Sequence, residues 1–527
     1  MGHSDKAYKY KRALQHWENY QSNLEMVQTD RTAAVIGTGF SGICAAIRLQ
    51  KEFGIKAQLF EMSEDVGGTW HHNKYPGAEC DIPSHLYSLS FELNPSWTRH
   101  YSGQAEIQAY LRGVAEKYNL IQQILFKTEV IKAEWIESRQ QWCLEWRSVV
   151  GSETGIYSGY FDFVFAGLGP LRVPNIPKEF ANFSGTTVHT TQWDSNIDFT
   201  NKRVAVIGSG STAIQLIPKL QKAVGHLYSY QRTPAWVTPR DQFTYPQIIK
   251  FLFKYIPFLM RFYRFLIYLQ HESYYPNFGY YGSWISRVAE RTIKKTIAMR
   301  LKKAGRPDLI PKLTPKYPFG CKRITKSEVY LEAMAKPNVS LITSGISEIK
   351  GRTITDKDGN ENEVDILVLA TGFDIKGFTG NLKILGRDGR SLEEEWKTSY
   401  PKSYKTVNYH GYPNFFLLLG PSSGLGHNSV VLIAEIQVNY AINCIKEILE
   451  KDLAALEPKA SAQEEFVKNL QSSFIGTVWK GGCKSWYLNE HGEAYALWSS
   501  TVTKFWWTMR KPIFDNYIEY KKINIIK

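Results

Sequence analysis

Cysteine is scarce in this chain, six in 527 residues, and Cys44, Cys80, Cys143, Cys321, Cys444 and Cys483 are scattered with no CxxC or CxxxxC pair. Without such a pair, catalytic dithiol exchange is excluded and a thiol-reduced protein is the expectation. The stretch Met1–Asp30 is polar and has no apolar signal core, which points to a cytoplasmic location. No uncharged apolar run is long enough to span a bilayer. Residues 248–269 come nearest, but Lys250, Lys254, Arg261 and Arg264 interrupt them at steps that fall on one helical stripe. There is no low-complexity segment, no metal-ligand spacing and no nucleic-acid-binding motif. The net charge of +14 (64 basic minus 50 acidic) therefore favours phosphate-bearing small molecules and anionic surfaces.

What the chain does have is two glycine-rich turns in the same context. Gly37-Thr-Gly39-Phe40-Ser41-Gly42 follows the apolar run Ala33–Ile36, and Gly208-Ser209-Gly210-Ser211-Thr212-Ala213 follows Val204–Ile207. Each reads as buried strand, tight turn and helix start, the arrangement that cradles a pyrophosphate on free backbone N–H groups. Two of them imply two dinucleotides, and hence hydride transfer between them. After the first cradle, the strand Ala57–Phe60 ends in Glu61, a carboxylate suited to a free ribose diol, so this site suits FAD. After the second, Leu227–Tyr230 ends in Gln231-Arg232-Thr233; a guanidinium there would bind a 2′-phosphate, which suits NADPH.

The fold class expected is α/β, with two Rossmann-like dinucleotide-binding domains interleaved along the chain. Residues 1–155 begin the FAD domain, 167–238 begin the NADPH domain, 239–317 form a helical insertion, 318–372 complete the NADPH domain, and 373–527 return to the FAD domain. Within the insertion, Pro257 should divide the helical stretch. That stretch reads as a helix pair packed over the active site with a solvated basic edge, or alternatively as a peripheral membrane contact.

Between and around the cradles stand Gly67-Gly68-Thr69-Trp70, Tyr75-Pro-Gly-Ala-Glu-Cys-Asp81, and Phe183-Ser-Gly185-Thr-Thr-Val-His189-Thr-Thr-Gln-Trp193-Asp194. Together these resemble the two fingerprints of the Baeyer–Villiger monooxygenases, which insert oxygen beside a ketone carbonyl using FAD, NADPH and O2. The resemblance runs from the first cradle to Lys484-Ser-Trp486-Tyr487. It implies a catalytic Arg323, which would stabilise an anionic flavin peroxide, and a partner Asp81 that orients it. It further implies FAD contacts from Gly37, Gly39, Phe40, Ser41, Gly42, Glu61, Gly68, Thr69, Trp70, Asp81, Tyr87 and Val130. NADPH contacts fall to Gly208, Ser209, Gly210, Ser211, Thr212, Ala213, Gln215, Arg232, Thr233, Lys322, Arg323 and Trp486.

Phe183, Gly185, His189, Trp193 and Asp194 are the long fingerprint. His189 reads as a residue of the linker ahead of the second nucleotide unit, coupling domain movement rather than acting as a base. Trp486 reads as an aromatic on a loop that closes over nicotinamide and substrate, with core packing as the alternative. A relative that oxygenates amines or sulfides is the competing activity; Arg323 and Trp193-Asp194 argue against it. A non-catalytic flavoprotein is disfavoured by the intact cradles. The ketone itself is not readable, nor is the choice between monomer and weak homodimer.

Overall fold

The computed structural model describes residues 29–150, 155–374 and 378–523, so most of the N-terminal stretch read as lacking a signal core lies outside the described residues. Two parallel five-stranded sheets organise the chain. In the first, the strand order is Phe415–Leu417, Phe163–Ala166, Ala33–Ile36, Gln58–Phe60, Ile124–Leu125. Ala33–Ile36 and Phe163–Ala166 are buried at every position, because both faces of this sheet are covered. Alternate residues serve opposite layers. Ala33 and Val35 join a core with helix Phe40–Phe53 and helix Val430–Glu450. Ala34 and Ile36 face Trp135, Trp142 and Leu144 on a smaller sheet built from Thr128–Ile136, Gln141–Ser148, Ile156–Phe161 and Lys383–Leu385.

The second sheet repeats the plan. Its order is Val339–Ile342, His226–Tyr230, Arg203–Ile207, Ile366–Leu369, Thr186–His189, all parallel. Val204 and Val206 pack with Ala213, Ile214 and Ile217 of helix Ser211–Leu220. Ala205 and Ile207 face the opposite way, toward Ile349 and Ile354 of an antiparallel three-stranded sheet. The α/β class with two Rossmann-type sheets is therefore as expected from the two strand–turn–helix motifs.

The insertion comprises helices Gln247–Tyr255, Pro257–Glu272 and Trp284–Lys303, with the short helix Pro276–Gly279 between the last two. Pro257 does divide the first two, standing at the first turn of the second, where its missing N–H costs nothing. Ile267, Tyr275 and Phe278 enter the core of the first unit, while Ile297 and Leu301 enter that of the second, so the insertion straddles both.

One expectation about this stretch is corrected. Arg264 does not belong to a solvated basic edge: it is buried, and its guanidinium donates to the carbonyls of His85 and Leu86. A helical stripe counted from sequence does not reveal which of its cations meets a neighbouring segment. Among the described residues, no helix is long and apolar enough to cross a membrane.

Candidate active site

The first cradle closes over a deep cavity. Gly37 has φ +92°, and a side chain there would bring Cβ to 2.6 Å from the Gly167 carbonyl oxygen, so the turn requires glycine. Helix Phe40–Phe53 begins at Gly39 with no side-chain cap and no acid in its first turn, which leaves its first N–H groups and the positive end of its dipole for an anion. Glu61, buried at the end of Gln58–Phe60, accepts from the backbone N–H of Thr38 at 3.0 Å and from its hydroxyl at 2.7 Å. The carboxylate is thereby fixed beside the cradle.

The cavity wall holds Gly37, Gly39, Phe40, Ser41, Glu61, Gly68, Thr69, Trp70, Tyr87 and Val130. Two residues expected to contact FAD, Gly42 and Asp81, are not in that wall. Gly42 sits behind the cradle against the Gly37 carbonyl, where close packing rather than ligand contact demands a small residue. The rings of Phe40 and Tyr87 meet edge-on at 5.0 Å, and Trp70 donates its indole N–H to Tyr87 at 3.2 Å, giving a rigid aromatic side to the cavity. Uncapped N–H groups, a ribose-facing carboxylate and an aromatic wall fit a flavin dinucleotide.

The second cradle is open to solvent at Gly210. Its helix, Ser211–Leu220, again starts without a side-chain cap or a first-turn acid. Ser209 donates to the Thr233 carbonyl at 2.6 Å, which ties the cradle to the segment carrying Arg232. Arg232 is exposed and Lys322 half-buried, and neither forms an ion pair among the described residues. Burial and the nearby charge of Arg232 both lower the pKa of Lys322. Two cations left facing one another without a carboxylate make a site for an anion such as a 2′-phosphate. Gln215, expected to contact NADPH, links two segments of the protein. Its amide accepts from the Tyr75 hydroxyl at 2.7 Å and donates to the Glu79 carbonyl at 2.8 Å, binding the segment before Asp81 to the second helix.

Arg323 lies where these parts meet. Its Nε and one terminal nitrogen donate to the two Asp81 oxygens at 2.8 and 2.7 Å, and the other terminal nitrogen donates to the Leu425 carbonyl at 3.1 Å. Leu425 adjoins Ser423 and Gly424, which line the cavity, and Trp486 lines it too. Burial acts against charge on both partners. The Arg323 guanidinium nevertheless holds Asp81 below the usual carboxylate range, and Asp81 raises Arg323 still further from neutrality. Both stay ionised, and the fork geometry permits one orientation of the arginine. Trp486 is half exposed and packs its ring on Tyr487 at 4.3 Å, so it is not a core tryptophan.

The long fingerprint lies elsewhere. His189 is not in a linker; it ends the edge strand Thr186–His189 of the second sheet, opposite Leu369. That is a correction, and its cause is the four-residue strand pairing that a lone histidine in a polar stretch did not signal. His189 is buried, its Nδ1 lies 2.8 Å from the Thr191 hydroxyl, and burial lowers its pKa, favouring the neutral ring. Gly185 is required by the Phe183 ring, which a Cβ would approach to 2.7 Å. Trp193 stacks on Phe199 at 5.2 Å, and Asp194 accepts from the backbone N–H of Asn196 at 2.8 Å. These five residues shape the second unit rather than line the cavity.

Sequence reading missed three things. Lys326 is half-buried beside Asp81 and Arg323, 3.3 Å from the Tyr101 hydroxyl, and no motif marks it. The segment Ser423–Leu425 carries the arginine's third contact; the Gly-Pro ending the preceding strand was its only signal. Cys321 and Cys483, 162 residues apart, form a disulfide, contrary to the expectation of a fully reduced chain. Spacing could not reveal it, because the fold alone brings these positions together. The bond ties the segment carrying Lys322 and Arg323 to the loop carrying Trp486.

Known proteins resemble this chain over most of its length. A family model described as flavin-binding monooxygenase-like matches residues 30–268. A Baeyer–Villiger monooxygenase of Pseudomonas aeruginosa is 38% identical over 476 residues, 90% of this chain and 88% of that protein. A Streptomyces coelicolor protein of the same name is 37% identical over 486 residues, 91% of each. Among solved structures, a Rhodococcus cyclohexanone monooxygenase bound to NADP+ is similar with a TM-score of 0.80 at 26% identity, covering 93% of this chain and 99% of that one. An oxidised steroid monooxygenase bound to NADP has a TM-score of 0.77 at 26% identity, with the same coverage. The chain belongs to the Baeyer–Villiger monooxygenase family and is an FAD-dependent, NADPH-using member of it.

Proposed function

We propose that this chain converts ketones to esters or lactones, with Arg323 as the catalytic residue, Asp81 as its positioning partner, the cavity-wall residues named above holding FAD, and the second cradle with Arg232 and Lys322 holding NADPH. The observation that carries the reading is the bidentate Arg323–Asp81 pair beside the cavity wall. When bound, FAD reduced by NADPH supplies the means of activating O2, and what remains for the protein is electrostatic. Arg323 offers a charge that no accessible pH removes, at the point where negative charge builds as oxygen adds to a carbonyl carbon. Asp81 prevents that guanidinium from swinging away, so little reorganisation is needed at the moment of reaction. Arg232 and Lys322 hold the 2′-phosphate of NADPH, and Trp486 covers the cavity and limits water entry.

The test is Arg323→Ala in the FAD-loaded enzyme, followed by NADPH oxidation, O2 uptake and product mass over a ketone panel. Flavin reduction should persist while ester formation disappears. Undiminished ester from Arg323→Ala would refute the assignment, and a parent enzyme yielding only N-oxides or sulfoxides would place it with the amine- and sulfide-oxygenating relatives.

A further inference from the structure

We propose that the outer face of helices Gln247–Tyr255 and Pro257–Glu272, together with the adjoining helix Val502–Met509, docks this enzyme on an anionic lipid surface. Each long helix has a buried side, represented by Phe253, Met260 and Ile267. The opposite side is not polar. Phe251, Tyr255, Phe258, Phe262, Phe265 and Leu269 all stand exposed, Phe258 at 72%. Their rings meet each other rather than the core: Phe251 with Tyr255 at 4.5 Å and Phe258 with Phe262 at 6.2 Å. The adjoining third helix adds Trp506 and Trp507, 48% and 60% exposed. That helix is held beside the pair by the Tyr268–Thr503 hydroxyl contact at 2.6 Å. So many exposed aromatic side chains on adjoining helices mark an interaction site rather than ordinary solvent exposure.

Charge identifies the partner. Lys250, Lys254 and Arg261 lie on the helix pair, and Lys504, Arg510 and Lys511 on or just after the third helix. The only carboxylate on these helices is Glu272, and it is turned inward. It accepts from the Asn428 amide and from the backbone N–H groups of Val502 and Thr503, which cap the third helix. The outer face thus presents aromatics and cations with no acid, the composition of helices that lie in a membrane interface and are drawn to anionic lipid. A second copy meeting the same face would set cations against cations, because a two-fold interface pairs a surface with itself.

The platform is firmly attached to the rest of the molecule. Arg264 anchors the second helix to the His85 and Leu86 carbonyls. Glu272 binds Asn428, three positions after Leu425, the residue whose carbonyl receives Arg323. Docking would therefore hold the oxygenating site close to a bilayer, an arrangement suited to a ketone that partitions into lipid.

The experiment is flotation of the FAD-loaded enzyme with vesicles of phosphatidylcholine alone or mixed with phosphatidylserine, which needs no turnover and stands or falls independently of the reaction. The enzyme should float with the mixed vesicles and much less with the neutral ones, and high salt should release most of it. Each cation near the surface is worth about a fivefold change in partitioning, so the triple change of Lys250, Lys254 and Arg261 to serine should weaken binding about a hundredfold. Phe258→Ser with Phe262→Ser should abolish flotation while leaving ketone turnover in solution unchanged. The proposal is overturned if the parent enzyme stays with the soluble fraction on phosphatidylserine vesicles, or if both variants float as the parent does. It is equally overturned if sedimentation velocity shows a dimer that the paired phenylalanine variant dissociates and that vesicles do not compete with. That last outcome would assign the face to a second copy.

Discussion

Replacing Asp81 by alanine would remove both oxygens that grip Arg323 and leave the guanidinium with the Leu425 carbonyl as its remaining hydrogen-bond partner. The two side chains keep 29% and 25% of their accessibility, so neither the water-exposed nor the fully buried limit applies. Breaking a fully buried pair by removing one member costs about 3–5 kcal/mol, and exposed pairs are worth about 0–1. A value of about 2–3 kcal/mol is expected here, consistent with two charge-assisted hydrogen bonds at partial burial. The functional loss should be larger than the loss of stability suggests. A guanidinium free to move by about 1 Å forfeits a factor of about 100 in rate where preorganisation matters. The assay is single-turnover: anaerobic flavin reduction by NADPH, then ester yield after oxygen is admitted. Asp81→Ala should reduce its flavin at near the parent rate and form ester about 100-fold more slowly. Asp81→Asn, which keeps one acceptor but not the charge, should fall between. Ester formation by Asp81→Ala within about twofold of the parent would refute the reasoning, because Arg323 would then need no partner to act.

Arg232→Ala should raise the KM for NADPH about 10- to 100-fold while leaving NADH use unchanged, the value of one or two charge-assisted phosphate contacts; equal effects on both nucleotides would remove the 2′-phosphate role. Burial pushes His85 down to about 3 and His100 and His271 down to about 4, with neighbouring cations adding to the effect. Their folded values lie below the unfolded one, so the stability they confer is complete above about pH 6.5 and is lost as pH falls toward 4. With three protons taken up on unfolding, the slope reaches up to about 4 kcal/mol per pH unit, measurable by denaturant titration at several pH values, and His85→Phe should flatten it. A stability profile level between pH 6.5 and 4 would contradict this. Cys483→Ser should free the loop bearing Trp486 and raise the hydrogen peroxide released per NADPH several-fold at saturating ketone; an unchanged peroxide yield would show that the Cys321–Cys483 bond has no part in closure.

The parts of the site legible in the chain are those whose chemistry depends on local backbone. Gly37 and Gly208 must take positive φ to end a strand and start a helix within a few residues, and a turn of that kind has no other residue to use. Glu61 and Arg232 were legible for the same reason, each standing at the end of the strand after its cradle. Arg323 and Asp81, 242 positions apart, were found by resemblance to a family, since no spacing rule connects them. Lys326 and the Cys321–Cys483 pair had neither a local pattern nor a quoted motif, and Leu425 had only the Gly-Pro ahead of it, so all were missed. His189 and Arg264 were misplaced because a residue's environment depends on which segment packs against it. For His189 that neighbour is Ile366–Leu369, and for Arg264 it is His85–Leu86.

Sequence alone determined that two glycine-rich strand–turn–helix cradles exist and that the helical stretch after residue 247 breaks at Pro257. Those outcomes follow from backbone conformations and charges set within a handful of neighbouring residues. Tertiary structure alone decided that Asp81 and Leu425 grip Arg323, that the long fingerprint builds a sheet edge instead of a cavity wall, and that an aromatic, acid-free face is left uncovered among the described residues. Such relations arise only when residues hundreds of positions apart share one volume, and the free energy of that sharing lies in long-range packing that no local pattern carries.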